Sequence, residues 1–536
     1  MATNDLRTLA FVAFGERKYE VALNLFLELQ KSEPNNLVIS NNIAVCLKQM
    51  GEFVMAADIL RLIILQAPNA TDPLRNLASC LLAQCKIEEA IEVCQKGLLL
   101  RTEDPIAFSN LIYFIGYAEA ITPAILHDTA GQFGTLFAYD RSRSKKSLWK
   151  RRRPAPGEPI EVAIISPDIR KHSAAYFLES LLSAYDHERY RITLCIDGPE
   201  PRDKVTDKLS SLVDTVLDVS KMKDKTIARE FDRRKVVIAI DLAGHSAHNR
   251  LPLFSQRIAP IQVSWLGYIG TTGIREMDYR LVDQWTLVPT EYSFEKQVCL
   301  PYGLHCYTPM YDLPDLDLHE GPIRFCNFSN LGKVNRGSLK RWSKILAQVP
   351  DSTLWLKAYG FQSAGVRALW EKIIVEECGI PRNRVVMDPP TRDHREYLLE
   401  VSKADIWLDT QPYASATTAC ESFWSGVPVI SMTGKTPASN LGRSISVSAG
   451  YPEMTYETEE GFIWKAVQLA RDRKALNEYR MNCRERLAKS PLFDRKLFAS
   501  EVMEAFDRMV SYEDEINDRK VGEKGTCGKS SAENQK

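Results

Sequence analysis

Apolar positions along the first hundred residues return with helical spacing. Val21, Leu25 and Leu29 fall on one stripe, as do Ala57, Leu60 and Ile64, and Ile91 with Cys94. The stripes themselves recur. Ala22, Ala56 and Ala90 stand 34 residues apart, and so do Tyr19, Phe53 and Ile87. Asn42, Asn76 and Asn110 carry the same period into a fourth unit. Pro34 and Pro68 close two units, and Pro105 closes a third slightly late. A small residue where two helices cross closely, and a proline where a helix must stop, are what an antiparallel helical hairpin requires. The pattern predicts stacked helix pairs over residues 1–140.

Beyond Ile160 the texture changes. Short β-branched runs alternate with helical segments: Val162 to Ile165, Arg191 to Ile196, Val236 to Ile240, Ile261 to Trp265 and Tyr279 to Val282. After a break at Asp312-Leu313-Pro314-Asp315 the texture returns at Arg324 to Phe328, Thr353 to Leu356, Arg384 to Met387, Ile406 to Leu408 and Val427 to Ser431. Such alternation predicts parallel sheets covered by helices. Two such units, 158–312 and 321–512, are expected to face each other across a ligand cleft, because open α/β sheets bind ligands beyond the carboxyl ends of their strands. Residues 141–157, dense in Lys and Arg and ending in Pro154-Ala155-Pro156-Gly157, read as an exposed basic connector. Residues 518–536 are polar and read as a disordered tail.

Composition narrows the class. The chain has 536 residues, with 69 Lys plus Arg against 69 Asp plus Glu. That balance excludes a protein held chiefly by nucleic-acid phosphates, which needs a basic excess. No apolar run is long enough for a bilayer span, and the N-terminus lacks the pattern of a secretory signal. The 12 cysteines are scattered, with no CxxC and no zinc spacing, as for free thiols in a reducing cytoplasm. No phosphate-loop, zinc-protease, serine-hydrolase or tight GxGxxG motif is present.

Three stretches carry candidate chemistry. At Asp405 to Pro428 a strand ends at Asp409, small residues follow, and a helix begins near Thr417. Backbone N–H groups there, with the Thr417 and Thr418 hydroxyls, form a natural phosphate pocket. Glu421, one turn in, is placed to accept from ribose hydroxyls; an ordinary helix cap explains the pattern equally well. At Phe325 to Lys333 a strand enters a Ser/Asn/Gly loop whose lysine, Lys333, can meet a diphosphate as a point charge. A solvated loop lysine is the simpler explanation. His172 and His245 each follow a strand of the first α/β unit, where a histidine can serve as base or ligand.

The 34-residue period resembles the tetratricopeptide (TPR) repeat, an architecture that commonly holds a peptide or protein on its concave face. Together with the rest it resembles the O-linked N-acetylglucosamine transferase and SPINDLY family of protein glycosyltransferases. The resemblance is carried by Ala259-Pro260-Ile261-Gln262-Val263-Ser264-Trp265-Leu266-Gly267-Tyr268, then Gly270-Thr271-Thr272-Gly273 and Met277-Asp278-Tyr279. The stretches Asp241 to His245, Asn327 to Lys333, Leu408 to Tyr413, Thr417 to Glu421 and Gly426 to Pro428 follow in family order. It implies a GT-B fold: a TPR array joined to two Rossmann-like lobes, acceptor side first and nucleotide-sugar side second. It implies an inverting, metal-independent transfer of a sugar from a UDP- or GDP-linked donor to a protein held by the array, with no cofactor. On that resemblance Lys333 contacts the diphosphate, and Thr417 and Thr418 its phosphates. Glu421 meets the ribose, Asn330 the sugar, and Gly270, Thr271 and Thr272 the loop beside it. His172 and His245 are the family's two histidines of the first lobe.

Departures bear on the donor. Ala416 stands where animal members have a histidine, Tyr176 replaces a second histidine after the first strand, and Tyr397 takes the spacing at which the family has a histidine, with His394 displaced. These fit another sugar, such as fucose from GDP-fucose, as well as N-acetylglucosamine. Only about ten residues separate Tyr311 from Gly321, so the long insertion of animal members is missing, as in a bacterial-type member. A transferase dedicated to one folded partner such as a flagellin or adhesin, and a TPR scaffold with a dead transferase domain, are the other readings.

Overall fold

The chain was analysed as a computed structural model that describes residues 3–138, 157–198, 202–316, 318 and 320–526, with side chains from Asp5 to Ser511. The basic connector therefore lies outside the described residues apart from Gly157. The last helix, Arg495–Thr526, runs into the segment expected to be disordered from Asp518; residues 527–536 lie outside.

The repeat is realised in register. Inner helices α1 (Thr3–Gly15), α3 (Leu37–Gln49), α5 (Thr71–Ala83) and α7 (Pro105–Ile115) alternate with outer helices α2 (Tyr19–Ser32), α4 (Phe53–Gln66), α6 (Ile87–Leu100) and α8 (Pro123–Leu136). Ala22, Ala56 and Ala90 are fully buried where the helices cross. Two local expectations are corrected. The buried stripe of α2 is Ala22, Phe26 and Leu29, while Val21 is 51% exposed, because the face toward the inner helices is turned by one position. Pro105 opens α7 instead of closing the third unit: it sits in the first turn, where a missing N–H is harmless, and Asp104 caps it.

Two parallel sheets follow. The first contains β1 (Ile160–Ser166), β2 (Tyr190–Ile196), β3 (Thr215–Asp218), β4 (Ile238–Asp241), β5 (Ile261–Ser264), β6 (Tyr279–Asp283) and β7 (Lys296–Leu300), in the order β3-β2-β1-β4-β5-β6-β7. The second contains β8 (Arg324–Asn327), β9 (Thr353–Lys357), β10 (Val385–Asp388), β11 (Ile406–Leu408), β12 (Val429–Met432) and β13 (Thr455–Tyr456), in the order β10-β9-β8-β11-β12-β13. Each order reverses once, at β1/β4 and at β8/β11. That reversal opens the crevice where doubly wound sheets place ligands. The helix Arg495–Thr526 crosses back to the first lobe: Tyr190 Oη donates to the Met503 carbonyl (2.9 Å) and Trp265 packs against Phe498.

The array is fused to both lobes. Trp370 of the second lobe, fully buried, donates its indole N–H to the Ala83 carbonyl (3.1 Å). On the first lobe a Cβ on Gly134 of α8 would lie 1.8 Å from the Gly273 carbonyl, so only glycine permits that approach. Among the described residues no helix is long and apolar enough to cross a membrane.

Candidate active site

Every candidate residue except the Gly270–Gly273 loop and Glu421 lies just past a strand bordering one of the two reversal points. After β8, Asn327 donates through Nδ2 to the Leu408 carbonyl (2.8 Å), locking the β8 and β11 ends together. Its Oδ1 accepts from Ser329 N–H (3.1 Å) and turns the chain into the 3-10 turn Leu331–Lys333. Lys333 ends that turn. Its ammonium donates to the Ala414 carbonyl (3.0 Å) and stands 4.7 Å over the Tyr413 ring. Burial lowers its pKa to about 8, against the opposing charge of Asp409.

Asp409 organises the facing loop. Its Oδ1 accepts from the N–H groups of Thr410 and Ser415 (both 2.9 Å), and its Oδ2 from Ser431 Oγ (2.7 Å). Burial pushes the Asp409 carboxyl up, and these bonds work against it. The loop delivers the helix Thr417–Trp424, whose N-cap is Ala416 with no side-chain cap. The N–H groups of Ala419 and Cys420 turn back to the Ala416 carbonyl, leaving those of Thr417 and Thr418 at the open end. The ordinary-cap explanation is thus not realised here. Glu421 is buried and accepts from His394 Nε2 (2.8 Å). His394 stacks on Tyr176 of the first lobe with planes 5° apart and centroids 5.5 Å apart. The displaced His394 and the departures Tyr176 and Tyr397 therefore meet around Glu421, where sequence spacing had left them apart. Asn330 is exposed and spends its Oδ1 on the Gly332 N–H (2.9 Å).

In the first lobe His172 caps the helix Ser173–Leu182. Its Nδ1 lies 3.3 Å from the Ala174 N–H and 3.6 Å from Asp168 Oδ2, and its side chain is 40% exposed. Burial lowers its pKa and Arg170 adds to this, while Asp168 opposes. His245 follows β4 but is 1% exposed. Its Nε2 faces the Thr272 carbonyl (3.0 Å), so Nε2 carries the proton, and Nδ1 accepts from Ser109 Oγ of α7 (3.1 Å). Burial depresses its pKa to about 3. Thr271 and Thr272 are buried and donate their hydroxyls to Glu295 (2.7 and 2.5 Å). Both hydroxyls are consumed within the lobe. Gly270 packs on Tyr268, where a Cβ would meet the phenol oxygen at 2.6 Å.

The array lines the site. Tyr117 stacks on Tyr413 (4.9 Å, 23°), and a Cβ on Gly332 would lie 3.0 Å from Leu82 of α5. The lysine loop is thus pressed between the second lobe and the repeats.

Two doubly wound lobes with facing reversal points, a lysine and an open helix start on one side and histidines on the other, are the arrangement of a glycosyltransferase of the GT-B class. The chain belongs to glycosyl transferase family 41, whose model matches residues 144–307 and 304–502. It is 33% identical over 363 residues to a tomato (Solanum lycopersicum) protein described as "Probable UDP-N-acetylglucosamine--peptide N-acetylglucosaminyltransferase SPINDLY", covering 66% of this chain and 39% of the relative. The protein of the same description from Oryza sativa subsp. japonica is 31% identical over 429 residues, 78% of this chain and 46% of the relative. The chain therefore spans less than half the length of these curated relatives. Its fold superposes on a mutant O-GlcNAc transferase from Thermobaculum terrenum with a TM-score of 0.89, at 27% identity, over 95% of this chain and 98% of that one.

Proposed function

We propose that this enzyme moves a sugar, N-acetylglucosamine or another hexose, from a nucleotide diphosphate sugar to Ser, Thr or Asn side chains of a protein held by the repeat array, with inversion and without a metal ion. The observation that carries the reading is Lys333, a half-buried ammonium with N–H groups to spare beside the open helix start at Thr417. Leaving-group charge is the main barrier in such transfers, and a fixed cation plus aligned N–H groups offset it. Thr417 and Thr418 contribute donors to the phosphates, and Glu421 meets the ribose once His394 yields it. His172, the open histidine of the pair, is the base for the acceptor hydroxyl; its Nδ1 accepts from the Ala174 N–H here, so freeing Nε2 for that hydroxyl requires the ring to release this cap and turn its Nδ1 proton toward Asp168 Oδ2, 3.6 Å away. His245, Thr271 and Thr272 act as positioning residues that hold the Gly270–Gly273 loop against the array, and Asn330, its Oδ1 held by the Gly332 N–H, offers its Nδ2 to the sugar.

A second donor has its own support. The His394, Tyr176 and Tyr397 cluster stands around Glu421 where family histidines are replaced, and it fits another donor, such as GDP-fucose, as well as a UDP-linked one. A thermal-shift screen against UDP, GDP, CMP and their sugars separates the two, since stabilisation grows with ligand concentration over affinity. UDP alone raising the melting temperature supports the first donor, GDP alone the second. No shift with any nucleotide leaves a scaffold. Lys333→Met should lower turnover by about 10²- to 10³-fold, the usual loss for one preorganised donor; unchanged turnover would remove Lys333 from the mechanism. EDTA should leave turnover unchanged.

A further inference from the structure

One cation on the inner face of the array is not explained by the fold. The inner helices recur every 34 residues, so Phe14, Lys48, Leu82 and Gly116 are equivalent positions. Phe14 and Leu82 pack against the core, and Gly116 closes α7. Lys48 stands half-buried in the same column. Its ammonium donates to Asn76 Oδ1 (2.7 Å), and Asn76 Nδ2 donates to Asn41 Oδ1 (3.3 Å). Burial lowers its pKa and Arg75 adds to this; the Cys80 thiol beside it is itself held neutral by burial, and no carboxylate forms an ion pair with Lys48 among the described residues. Arg75 is already paired with Asp72 (2.7 Å) and Asp104 (3.0 Å). A partly desolvated charge whose hydrogen bonds run only to amides, in a column where Phe14 and Leu82 are apolar, breaks the local rule with no counter-charge in return.

Its place gives the return. Leu82, one repeat further on, touches Gly332 in the lysine loop. Packed helices lie about 8–10 Å apart, so Lys48 stands roughly one such step from that loop along the groove. An extended chain crosses that distance in about three residues.

We infer that Lys48 reads a carboxylate of the acceptor chain, a few residues from the side chain to be modified, and so selects acidic segments. This rests on the array holding the acceptor. The chemistry is a charge-assisted hydrogen bond made in a partly desolvated groove, where it is stronger than at an open surface.

The test uses the full chain and matched short synthetic peptides, fluorescently labelled and rich in Ser and Thr, carrying either Asp or Asn at the same alternate positions. Wild type should bind the Asp peptide about tenfold more tightly by fluorescence anisotropy, the scale of one hydrogen bond to a charged group. Lys48→Gln should bring the ratio close to one, and Lys48→Arg should keep part of it. Lys31→Gln, which alters an exposed lysine of α2, should keep all of it. An unchanged ratio in Lys48→Gln overturns the inference, as does a wild type that shows no preference or binds neither peptide. Thermal shifts with UDP and GDP on the same samples should not depend on position 48. Their absence in wild type would defeat the donor-site reading separately, leaving the peptide ratio to judge Lys48.

Discussion

At the residue scale, the proposed role of Lys333 sets an expected alkaline limit. With its pKa lowered to about 8, the ammonium is charged below that pH and loses its proton as pH rises through it. Affinity for UDP or GDP should be full near neutrality and fall above pH 8, approaching about tenfold per unit. Calorimetric titration across that range checks this, and Lys333→Gln should show a flat, weak profile. A wild-type affinity that does not fall would show that this lysine does not meet the diphosphate. Glu421 allows a second reading. If it accepts from ribose hydroxyls, wild type should prefer a ribonucleotide over its 2′-deoxy counterpart by about 10-fold or more, as for a hydrogen bond to a charged acceptor. Glu421→Ala should abolish the preference. An equal preference in both proteins would return Glu421 to a structural partner of His394.

At the element scale, what the sequence made visible followed burial. The strands bordering each reversal point, β1, β4, β8 and β11, are enclosed and read as apolar runs. The strands that escaped notice are β3, β7 and β13, all at sheet edges. β3 alternates half-buried and exposed positions, β7 is half open, and β13 has two residues, so none carries an apolar run. The site divides the same way. Lys333, Thr417 and Thr418 were legible because a strand, a loop and a helix start follow one another in the chain. The contacts His394 to Glu421, Tyr176 to His394, Thr272 to Glu295 and Ser109 to His245 were not, because their partners are brought together only by tertiary packing. The same close packing makes α8 a test. A Cβ on Gly134 would lie 1.8 Å from the Gly273 carbonyl, and backbone on both sides has nowhere to go. Gly134→Ala should destabilise the protein by about 1–3 kcal/mol, as overpacking does. The denaturant midpoint would fall while the nucleotide response, seated in the other lobe, persists. A midpoint equal to wild type would mean that α8 can part from the Gly273 loop without loss.

At the scale of the whole molecule, the array and the lobes do not form separate cores. One apolar cluster joins Cys85, Ile87 and Tyr117 of the repeats to both lobes. A second joins the rest of the array to Ala163, Ile165, Ile274 and Met277 of the first lobe. Polar contacts run across the same seams, from Trp370 to Ala83 and from His245 to Ser109. Repeat arrays ordinarily contact only neighbouring units and unfold by increments. Here the ends of α3, α5 and α7 are tied down, by Gln362 on the Met50 carbonyl, Trp370 on the Ala83 carbonyl and Tyr413 on Tyr117, so the array should share the cooperativity of the lobes. Calorimetry of the full chain should give one dominant endotherm, and a saturating nucleotide should move all of it, although its proposed site lies in the second lobe. An early transition insensitive to nucleotide would mean the repeats open alone. In that case the wall that Tyr117 and Leu82 build beside Lys333 would be a hinged surface, and acceptor capture could precede closure of the site.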